Sequence, residues 1–244
     1  MSAKVVILLT ATVDPNGMIY TKLNNPHVRE QQYIKAILRW EKISKIVPIV
    51  FIENSGYEVN LFRSKLKNSE NPNFYFVGFN GNDYDRNLGK GYGELLCIEH
   101  GLKMCKLISP NSIVIKATGR YFVRNILSYV DYVNSNLQFD LFIDFNKNLT
   151  YSDSRIFAFK HDFFHNFLFK YINVICDKSG IIFENVLSKA ALEYILENKK
   201  ICILNDHPRI SGKSGTFNEN YHDSLISWLP RDIRQKIKKY FFGY

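Results

Sequence analysis

The feature that most limits the fold is a set of short, continuously apolar segments separated by helical patterns. The first, Val5-Val6-Ile7-Leu8-Leu9, begins near the N-terminus, and similar runs occupy residues 46–52, 74–79 and 112–117. A strand that is apolar on both faces belongs to a sheet covered on both sides, as parallel sheets with helical crossovers are. The sequence therefore predicts an α/β fold, with a mostly parallel, Rossmann-like central sheet and helices on both faces.

Helical patterns lie between these strands. Asn25-Pro26 is typical of a helix start, because Asn caps the helix and Pro fits its first position, and this helix is predicted to end near Ile43. The remaining elements are predicted as a helix from about Gly93, helices over 161–175 and 182–197, and strands over 139–145, 155–159 and 201–204. A closing helix is expected over residues 223–242, broken or kinked at Pro230.

Composition narrows the class of protein and its partners. No apolar run reaches the length of a membrane span, and the first one is too short and weakly flanked for a signal peptide, so we expect a cytoplasmic protein. The four cysteines lack metal-ligand or redox spacing, and we expect them to be reduced core residues. The net charge of +9 suits an anionic partner, whether nucleic acid, a phosphorylated substrate or an anionic membrane.

Polar residues follow three of the predicted strands. Thr10 and Thr12 follow the first, Glu53, Asn54 and Ser55 follow the second, and Lys116, Thr118, Gly119 and Arg120 follow the fourth. Ligands of such sheets bind beyond the carboxyl ends of the strands. Turns and helix caps use the same residue types, but three such ends at one edge of a sheet favour a binding cleft.

A glycine-rich segment, Gly89-Lys90-Gly91-Tyr92-Gly93-Glu94, stands at the start of the next helix. Glycines let a backbone approach a ligand, and helix N-termini attract phosphate. Lys90, Gly91 and Glu94 are therefore candidate ligand-binding residues. The segment has neither P-loop nor dinucleotide-fingerprint spacing, and a flexible helix entry explains the same residues.

Together these segments resemble a group of bacterial O-antigen and capsule glycosyltransferases with a GT-A-like fold. The resemblance is carried by residues 7–12, 51–56, 90–94, 116–121, 183–185 and 208–215, and Lys-x-Thr-Gly-Arg-Tyr at 116–121 is its most specific part. It implies an enzyme that binds an activated, nucleotide-linked sugar donor in the first half of the sheet. The acceptor would be a saccharide of a growing surface polysaccharide, which we expect to be lipid-linked, bound by the second half.

The expected chemistry differs from that of many GT-A enzymes, which hold a divalent cation with an Asp-x-Asp motif. In this sequence Lys116 to Arg120 takes that position, and a guanidinium or ammonium group can itself bind phosphate oxygens. We expect a metal-independent transferase in which Arg120, with Lys116 or Lys90, stabilises the leaving phosphate. The alternative is that these cations pair with acidic neighbours.

No metal or other cofactor is therefore expected. Asp144-Phe145-Asn146 is the nearest approach to a metal motif, but it supplies one carboxylate, so a Mg²⁺ or Mn²⁺ site there is less favoured than a structural turn.

Two carboxylates are candidates for the base that an inverting transfer requires. Glu184, at the start of helix 182–197, is the first candidate and Asp153 the second, although an ordinary first-turn glutamate explains Glu184 equally well. Arg209 and Ser214 lie in a Gly/Ser-rich loop that we expect to fold over the donor, with Arg209 contacting phosphate. A disordered surface loop is the alternative.

The C-terminal segment is basic and amphipathic. Its apolar residues recur every four positions, at Leu225, Leu229, Ile233, Ile237 and Phe241, with basic residues between the later ones. This pattern fits a helix lying on anionic lipid at the inner face of the cytoplasmic membrane, and packing on the domain explains it as well. We expect a glycosyltransferase domain over residues 1–222 and this helix over residues 223–244.

Two other functions stay open. A nucleotidyltransferase of sugar activation shares the sheet, but the loop at residues 10–17 lacks the Arg or Lys that such an enzyme normally carries. A basic nucleic-acid-binding module fits the charge, but no recognised motif is present, and we expect no nucleic acid partner.

Overall fold

The computed structural model describes residues 4–221 and 223–242. Its strands, in chain order, are β1 Val5–Ala11, β2 Ile49–Glu53, β3 Phe74–Gly78, β4 Ile113–Thr118, β5 Phe122–Val123, β6 Leu141–Ile143, β7 Phe145–Asn146, β8 Tyr151–Ser152, β9 Ile156–Phe159, β10 Ile201–Ile203 and β11 Ile210–Ser211. Its α-helices are α1 Pro26–Ile43, α2 Asn60–Arg63, α3 Lys90–Met104, α4 Ile126–Asn134, α5 Phe183–Leu196 and α6 Leu225–Phe242.

Seven strands form the central sheet, in the order β10-β6-β9-β4-β1-β2-β3. All are parallel except β9, which runs antiparallel to both of its neighbours. One apolar core lies between the sheet and α1 and α4, and a second lies between the opposite face and α3 and α5. The predicted α/β class, a mostly parallel sheet with helices on both faces and a C-terminal amphipathic helix, is confirmed.

The central position of β1 brings the strand ends together. Thr10 of β1 is in register with Ile52 of β2 on one side and with Thr118 of β4 on the other. All seven residues of β1 are buried, as its continuous apolar run predicts. The polar residues that follow β1, β2 and β4 therefore meet at one edge of the sheet.

The first helix also agrees with its sequence signals. The Asn25 side chain accepts a hydrogen bond from the Val28 N–H, Pro26 occupies the first turn, and Tyr33, Ile37 and Trp40 are buried. Helix α3 begins at Lys90, slightly before the predicted start near Gly93.

The segment predicted as a helix over residues 161–175 is helical, but most of it is not an α-helix. The chain forms a π-helical turn at Phe163–Leu168 and then a 3₁₀ segment at Phe169–Val174. The buried side chains of the first turn are Phe163, Phe164 and Leu168, at spacings of four and five residues. A wider turn places such residues on one side better than an α-helix does.

Helix α6 is continuous through Pro230, so of the predicted break or kink the break is wrong, and the kink stays a prediction. The proposed boundary at residue 222 falls outside the described residues, as do residues 1–3, 243 and 244, and the division into domain and tail stays a prediction. Within the described ranges, no helix combines the length and apolar character that crossing a membrane would require.

Candidate active site

A buried ionic network lies below the meeting point of β1 and β4. The Lys116 side chain is 0% exposed, and its ammonium group is ion-paired with Glu94 of α3. It also donates to the Ser154 carbonyl, while the Thr10 hydroxyl donates to Glu94 Oε1 at 3.0 Å. Removing one partner of such a pair is costly because the other is left charged and desolvated. Thr10, Glu94 and Lys116, all predicted site residues, thus belong to one internal network.

The network extends to Glu184 at the first turn of α5. The Ser154 hydroxyl donates to Glu184 Oε1 at 2.7 Å. Burial raises the pKa of Glu184, and the Ser154 hydrogen bond only partly opposes this effect. A carboxylate with a raised pKa is a stronger base than one on the surface.

Arg120 follows β4 and differs from Lys116 in its surroundings. Its side chain is 6% exposed, and Nε and Nη1 have no hydrogen-bond partner among the described residues. Its Nη2 donates to the Tyr121 hydroxyl at 3.4 Å, and that hydroxyl in turn accepts from Tyr221 at 3.2 Å. A buried guanidinium with unused donors is ready to accept an anion.

A loop and a cavity adjoin the Arg120 guanidinium. Gly215 of loop 212–221 lies so close that an added Cβ would be 2.6 Å from Arg120 Nη2. The Gly215 carbonyl accepts from Leu23 N at 3.2 Å, so the loop also contacts the segment after β1. Between α1 and this loop lies a cavity of about 610 Å³, whose charged lining is Arg120, Lys35, Arg39, Lys213 and Asp223. Four cations against one carboxylate give the lining of this cavity a positive charge.

The residues predicted at the ends of β1 and β2 mostly bind each other. Glu53 is fully buried and accepts hydrogen bonds from the N–H groups of Val13, Ser55 and Tyr57. The Ser55 hydroxyl also donates to Glu53, and the Thr12 hydroxyl donates to Asn54 Oδ1 at 2.7 Å. These contacts join the two strand ends and shape the edge of the site. Burial raises the pKa of Glu53 despite its hydrogen bonds.

Helix packing accounts for the glycines at the start of α3. Gly89 has φ of +84°, and a Cβ there would lie 2.0 Å from Asp177, whose carboxylate accepts from the Lys90 N–H at 3.1 Å. A Cβ on Gly91 would lie 2.6 Å from Phe183 of α5. Asp177 therefore caps the first turn of α3, and Gly91 permits close contact with α5.

The Lys90 side chain reaches over the strand ends. Its ammonium donates to the Thr216 hydroxyl at 2.7 Å and to the Tyr20 carbonyl at 3.1 Å. Burial lowers the pKa of Lys90, and nearby Arg120 lowers it further, while Asp177 and Glu184 act in the opposite direction. Lys90 thus lies within electrostatic range of both Arg120 and Glu184.

Gly119 serves the close approach of β4 to β1. Its N–H donates to the Thr10 carbonyl at 2.8 Å, and an added Cβ would lie 3.0 Å from that oxygen. The Thr118 hydroxyl is within 3.4 Å of Lys116 Nζ, so Thr118 borders the internal network.

The Asp153 carboxylate is ion-paired with the Arg155 guanidinium. Arg155 Nε and Nη2 donate to its carboxylate at 2.6 to 3.1 Å. Burial alone would raise the pKa of Asp153, but the Arg155 charge outweighs it and the pKa is lowered. The Arg155 guanidinium also lies 5.4 Å from the Tyr221 ring, beside loop 212–221.

The loop residues Arg209 and Ser214 have partners of their own. Arg209 Nε donates to the Asp223 carbonyl at 2.7 Å, and its guanidinium lies 6.0 Å from the Trp228 ring. The Ser214 hydroxyl accepts from Phe217 N at 3.2 Å within a turn. Neither side chain contacts Arg120 in this conformation.

Asp144 is paired with the ammonium of Lys238, and it also accepts from the Asn146 amide at 3.1 Å. Across residues 4–221 and 223–242, no three His, Cys, Asp or Glu residues are grouped as a metal site would require.

Sequence reasoning missed two residues that build the site. The buried Arg29 guanidinium donates to the carbonyls of Thr12 and Leu23, and so holds the segment after β1. Arg29 lies four residues before Tyr33 on the buried face of α1, a helical spacing that could have identified it. Asp177, which caps α3, is distant in sequence, and no local pattern indicates it.

The sequence matches no family model, and no curated protein sequence is significantly similar to it. Solved structures of similar fold include a proposed nucleotide-diphospho-sugar transferase from Desulfovibrio desulfuricans G20, at 11% identity and a TM-score of 0.48, covering 84% of this chain and 80% of that one. The galactosyltransferase LgtC, in complex with donor and acceptor sugar analogs, has 11% identity and a TM-score of 0.49, covering 82% and 73%. A 4-diphosphocytidyl-2C-methyl-D-erythritol synthase from Anaerococcus prevotii has 13% identity and a TM-score of 0.45, covering 96% and 95%. Likenesses this distant say nothing about which reaction this chain catalyses.

Proposed function

We propose that the chain is a metal-independent glycosyltransferase that moves a sugar from a nucleotide-linked donor to a lipid-linked saccharide of a bacterial surface polysaccharide. The observation that carries the proposal is the buried Arg120 guanidinium, whose Nε and Nη1 have no partner among the described residues and which lines a cationic cavity. The O-antigen or capsule class of the acceptor rests on the resemblance of residues 116–121.

Arg120 would act on the leaving group. When the bond between the anomeric carbon and the donor phosphate breaks, negative charge grows on the departing diphosphate. A fixed guanidinium in a water-poor site stabilises that charge more than a solvated one does. Lys90 and Arg29 add positive potential from either side, since both lie within electrostatic range of Arg120.

Lys116 has a supporting role in this proposal. Its ammonium is fully buried and ion-paired with Glu94, so it does not face the leaving phosphate. It positions Glu94 and the Ser154 backbone, and through Ser154 it helps to place Glu184.

Glu184 would be the base. In an inverting transfer the acceptor hydroxyl oxygen attacks the anomeric carbon, the carbon–phosphate oxygen bond breaks, and the hydroxyl proton passes to Glu184. The raised pKa of Glu184 suits this step. Asp153 suits it less, because Arg155 holds it ionised and lowers its pKa.

Donor binding in the absence of metal tests the proposal. Thermal unfolding is measured with nucleoside diphosphates and nucleotide sugars, first in EDTA and then with Mn²⁺. A ligand at a hundredfold its Kd stabilises the folded state by about 2.7 kcal/mol. We expect one nucleotide to stabilise the native chain in EDTA, and Arg120→Met to weaken its binding at least about tenfold, since a charge-assisted hydrogen bond contributes about 1.5–3 kcal/mol.

Arg63→Met is the matched control. Arg63 is also an arginine with a buried, unpartnered Nε, but it lies beside Phe76 of β3, so its replacement should leave nucleotide binding unchanged. Stabilisation that requires Mn²⁺ would contradict metal independence. Pyrophosphate release from a nucleoside triphosphate and a sugar phosphate would identify a nucleotidyltransferase, and salt-dependent binding of oligonucleotides alone would identify a nucleic-acid-binding module.

A further inference from the structure

Helix α6 is attached to the domain by its polar face. Asp232 Oδ1 accepts from His207 N at 2.9 Å, and Gln235 Nε2 donates to the Leu204 carbonyl at 2.8 Å. Trp228 Nε1 donates to the His207 carbonyl at 2.7 Å on the same side of the helix. Asp232 and Gln235 are the buried side chains at this junction.

The apolar stripe of α6 points away from this junction. Leu225 is 60% exposed, Ile233 49% and Phe241 70%, and Leu229 and Ile237 are half exposed. A helix that faced the domain core would bury these residues. Packing on the domain therefore does not account for the stripe.

Beside α6 lies a second and larger cavity, of about 1450 Å³. Its apolar wall includes Phe139, Phe145, Leu192, Ile203 and, from α6 itself, Ile237 and Phe241. Because Ile237 and Phe241 also belong to the exposed stripe, the apolar surface continues from the outside of α6 into the cavity.

The same cavity is strongly cationic. Lysines and arginines contribute seven of its lining side chains, against two carboxylates, a net charge of +5. Both carboxylates are neutralised locally, Asp144 by Lys238 and Asp153 by Arg155. Two of the remaining cations have partners of their own, since Lys199 is paired with Asp162 at 3.3 Å and Arg231 Nε donates to the Ser227 carbonyl at 3.0 Å. Lys200 and Arg234 are exposed cations of the wall, one from each side of the cavity.

The inner end of the cavity adjoins the proposed base. Asp153 and Tyr151 line the cavity, and the residue after Asp153, Ser154, donates its hydroxyl to Glu184. Burial raises the pKa of Tyr151, and the charge of Glu184 contributes to the rise, so the two groups are close. A ligand that contacts Asp153 or Tyr151 in the cavity would therefore lie near Glu184.

We propose that this cavity binds the phosphate and the first part of the hydrocarbon chain of the lipid-linked acceptor, while the exposed stripe of α6 lies against the bilayer. The occupant is an amphipathic anion. A free phosphate would leave the apolar wall unused, and a neutral lipid would make no use of the cationic side chains of the wall, Lys200 and Arg234 among them. The inference rests on the proposed function for the identity of the acceptor, but the site itself is defined by its own chemistry.

Calorimetric titration of the full chain with decyl phosphate, below its micelle concentration, tests the site. Inorganic phosphate and decanol are the comparison ligands. We expect decyl phosphate to bind at least about tenfold more tightly than either, because both the anion and the chain are recognised. The double variant Lys200→Glu/Arg234→Glu should weaken it by about tenfold or more, because two cations of the wall are replaced by carboxylates that repel the phosphate.

The double variant Lys65→Glu/Lys67→Glu is the control, since both of these lysines are exposed and neither lines the cavity. Equal binding of inorganic phosphate, equal binding of decanol, or unchanged binding by Lys200→Glu/Arg234→Glu would each overturn the proposal. So would binding to phosphatidylglycerol vesicles without any binding of decyl phosphate. Nucleotide binding in EDTA, measured on the same samples, separates the two proposals, because its loss would refute the donor site and leave this cavity standing.

Discussion

Lys116 and Arg120 are buried cations four residues apart at the end of β4, and their surroundings differ. The region of Lys116 lies on the side of α3, where Glu94 neutralises the ammonium and the Ser154 carbonyl accepts from it. The region of Arg120 lies under loop 212–221, where Tyr121 accepts from one nitrogen and the other two have no partner among the described residues.

This difference separates a cation that is paired within the fold from one that keeps unused hydrogen-bond donors. The local sequence, Lys-x-Thr-Gly-Arg-Tyr, presents both as charged residues at a strand end. Of these two cations, only Arg120 has side-chain nitrogens, Nε and Nη1, without a hydrogen-bond partner among the described residues. A buried charge without a counterpart makes the folded state less stable, so such a residue is expected where binding outweighs that cost.

The largest expected difference between Lys116 and Arg120 is in how their replacement changes the free energy of unfolding. Lys116→Met should lower the free energy of unfolding by about 3–5 kcal/mol, because Glu94 is left charged and unpaired. Arg120→Met should change it by less than about 1 kcal/mol, or raise it, because an unsatisfied cation is removed. Urea unfolding with the slope m held in common measures both. Equal losses in the two variants would show that Arg120 is also structural.

The glycines at the start of α3 raise the same question, because glycine there can be required either by packing within the fold or by a ligand. Gly89→Ala should lower the free energy of unfolding by about 2–3 kcal/mol, since it combines positive φ with a contact to Asp177 and disturbs the cap on Lys90. Gly17→Ala is the control, with φ of +73° and nothing within 4 Å of the added Cβ, so it should cost only about 1 kcal/mol. Equal costs would mean that the Asp177 contact adjusts freely.

Local sequence patterns were sufficient to predict individual elements of the fold. The apolar run of β1 and the Asn25-Pro26 start of α1 are local patterns, and each predicts its element correctly. The edge at which Thr10 and Thr118 lie side by side follows from the parallel sheet.

Contacts between elements that are distant in sequence could not be predicted from such local patterns. Glu94 pairs with Lys116 across the second core, and Gly91 is required by Phe183, nearly a hundred residues away. The apolar stripe of α6 left two orientations open, on lipid or against the domain, and the choice depends on Asp232 and Gln235, which bind main-chain groups of residues 204–207. The periodicity of apolar residues in a helix does not indicate where main-chain groups elsewhere in the fold will lie.

A smaller effect on stability depends on pH and tests whether the Lys116 network is purely structural. Because burial raises the folded-state pKa of Glu184, the stability it contributes is present at low pH and is lost as pH rises through that value. Glu184→Gln should therefore match the native chain at acidic pH and exceed it in stability towards neutral pH. Urea unfolding across pH measures the difference.

Glu193→Gln supplies a control of opposite sign. The hydrogen bond from Lys170 lowers the pKa of Glu193, so its contribution is present above the ordinary glutamate pKa and is lost as pH falls. A Glu184→Gln profile that follows the Glu193→Gln profile would show that Glu184 is a stabilising partner of the network, and would remove the reason to assign it as the base.

The smallest expected effect concerns Arg209, the other cation that the sequence places at the donor. Its Nε donates to the Asp223 carbonyl and its guanidinium lies beside Trp228, so like Lys116 it already has partners. Arg209→Met should change nucleotide affinity by less than about twofold and stability by about 0.5–1 kcal/mol. Calorimetric titration beside Arg120→Met makes the comparison direct. A tenfold loss of affinity would mean that the segment around Arg209, just before β11, rearranges on binding and carries its guanidinium to the phosphate. The contrast between partnered and unpartnered cations would then describe only the ligand-free conformation.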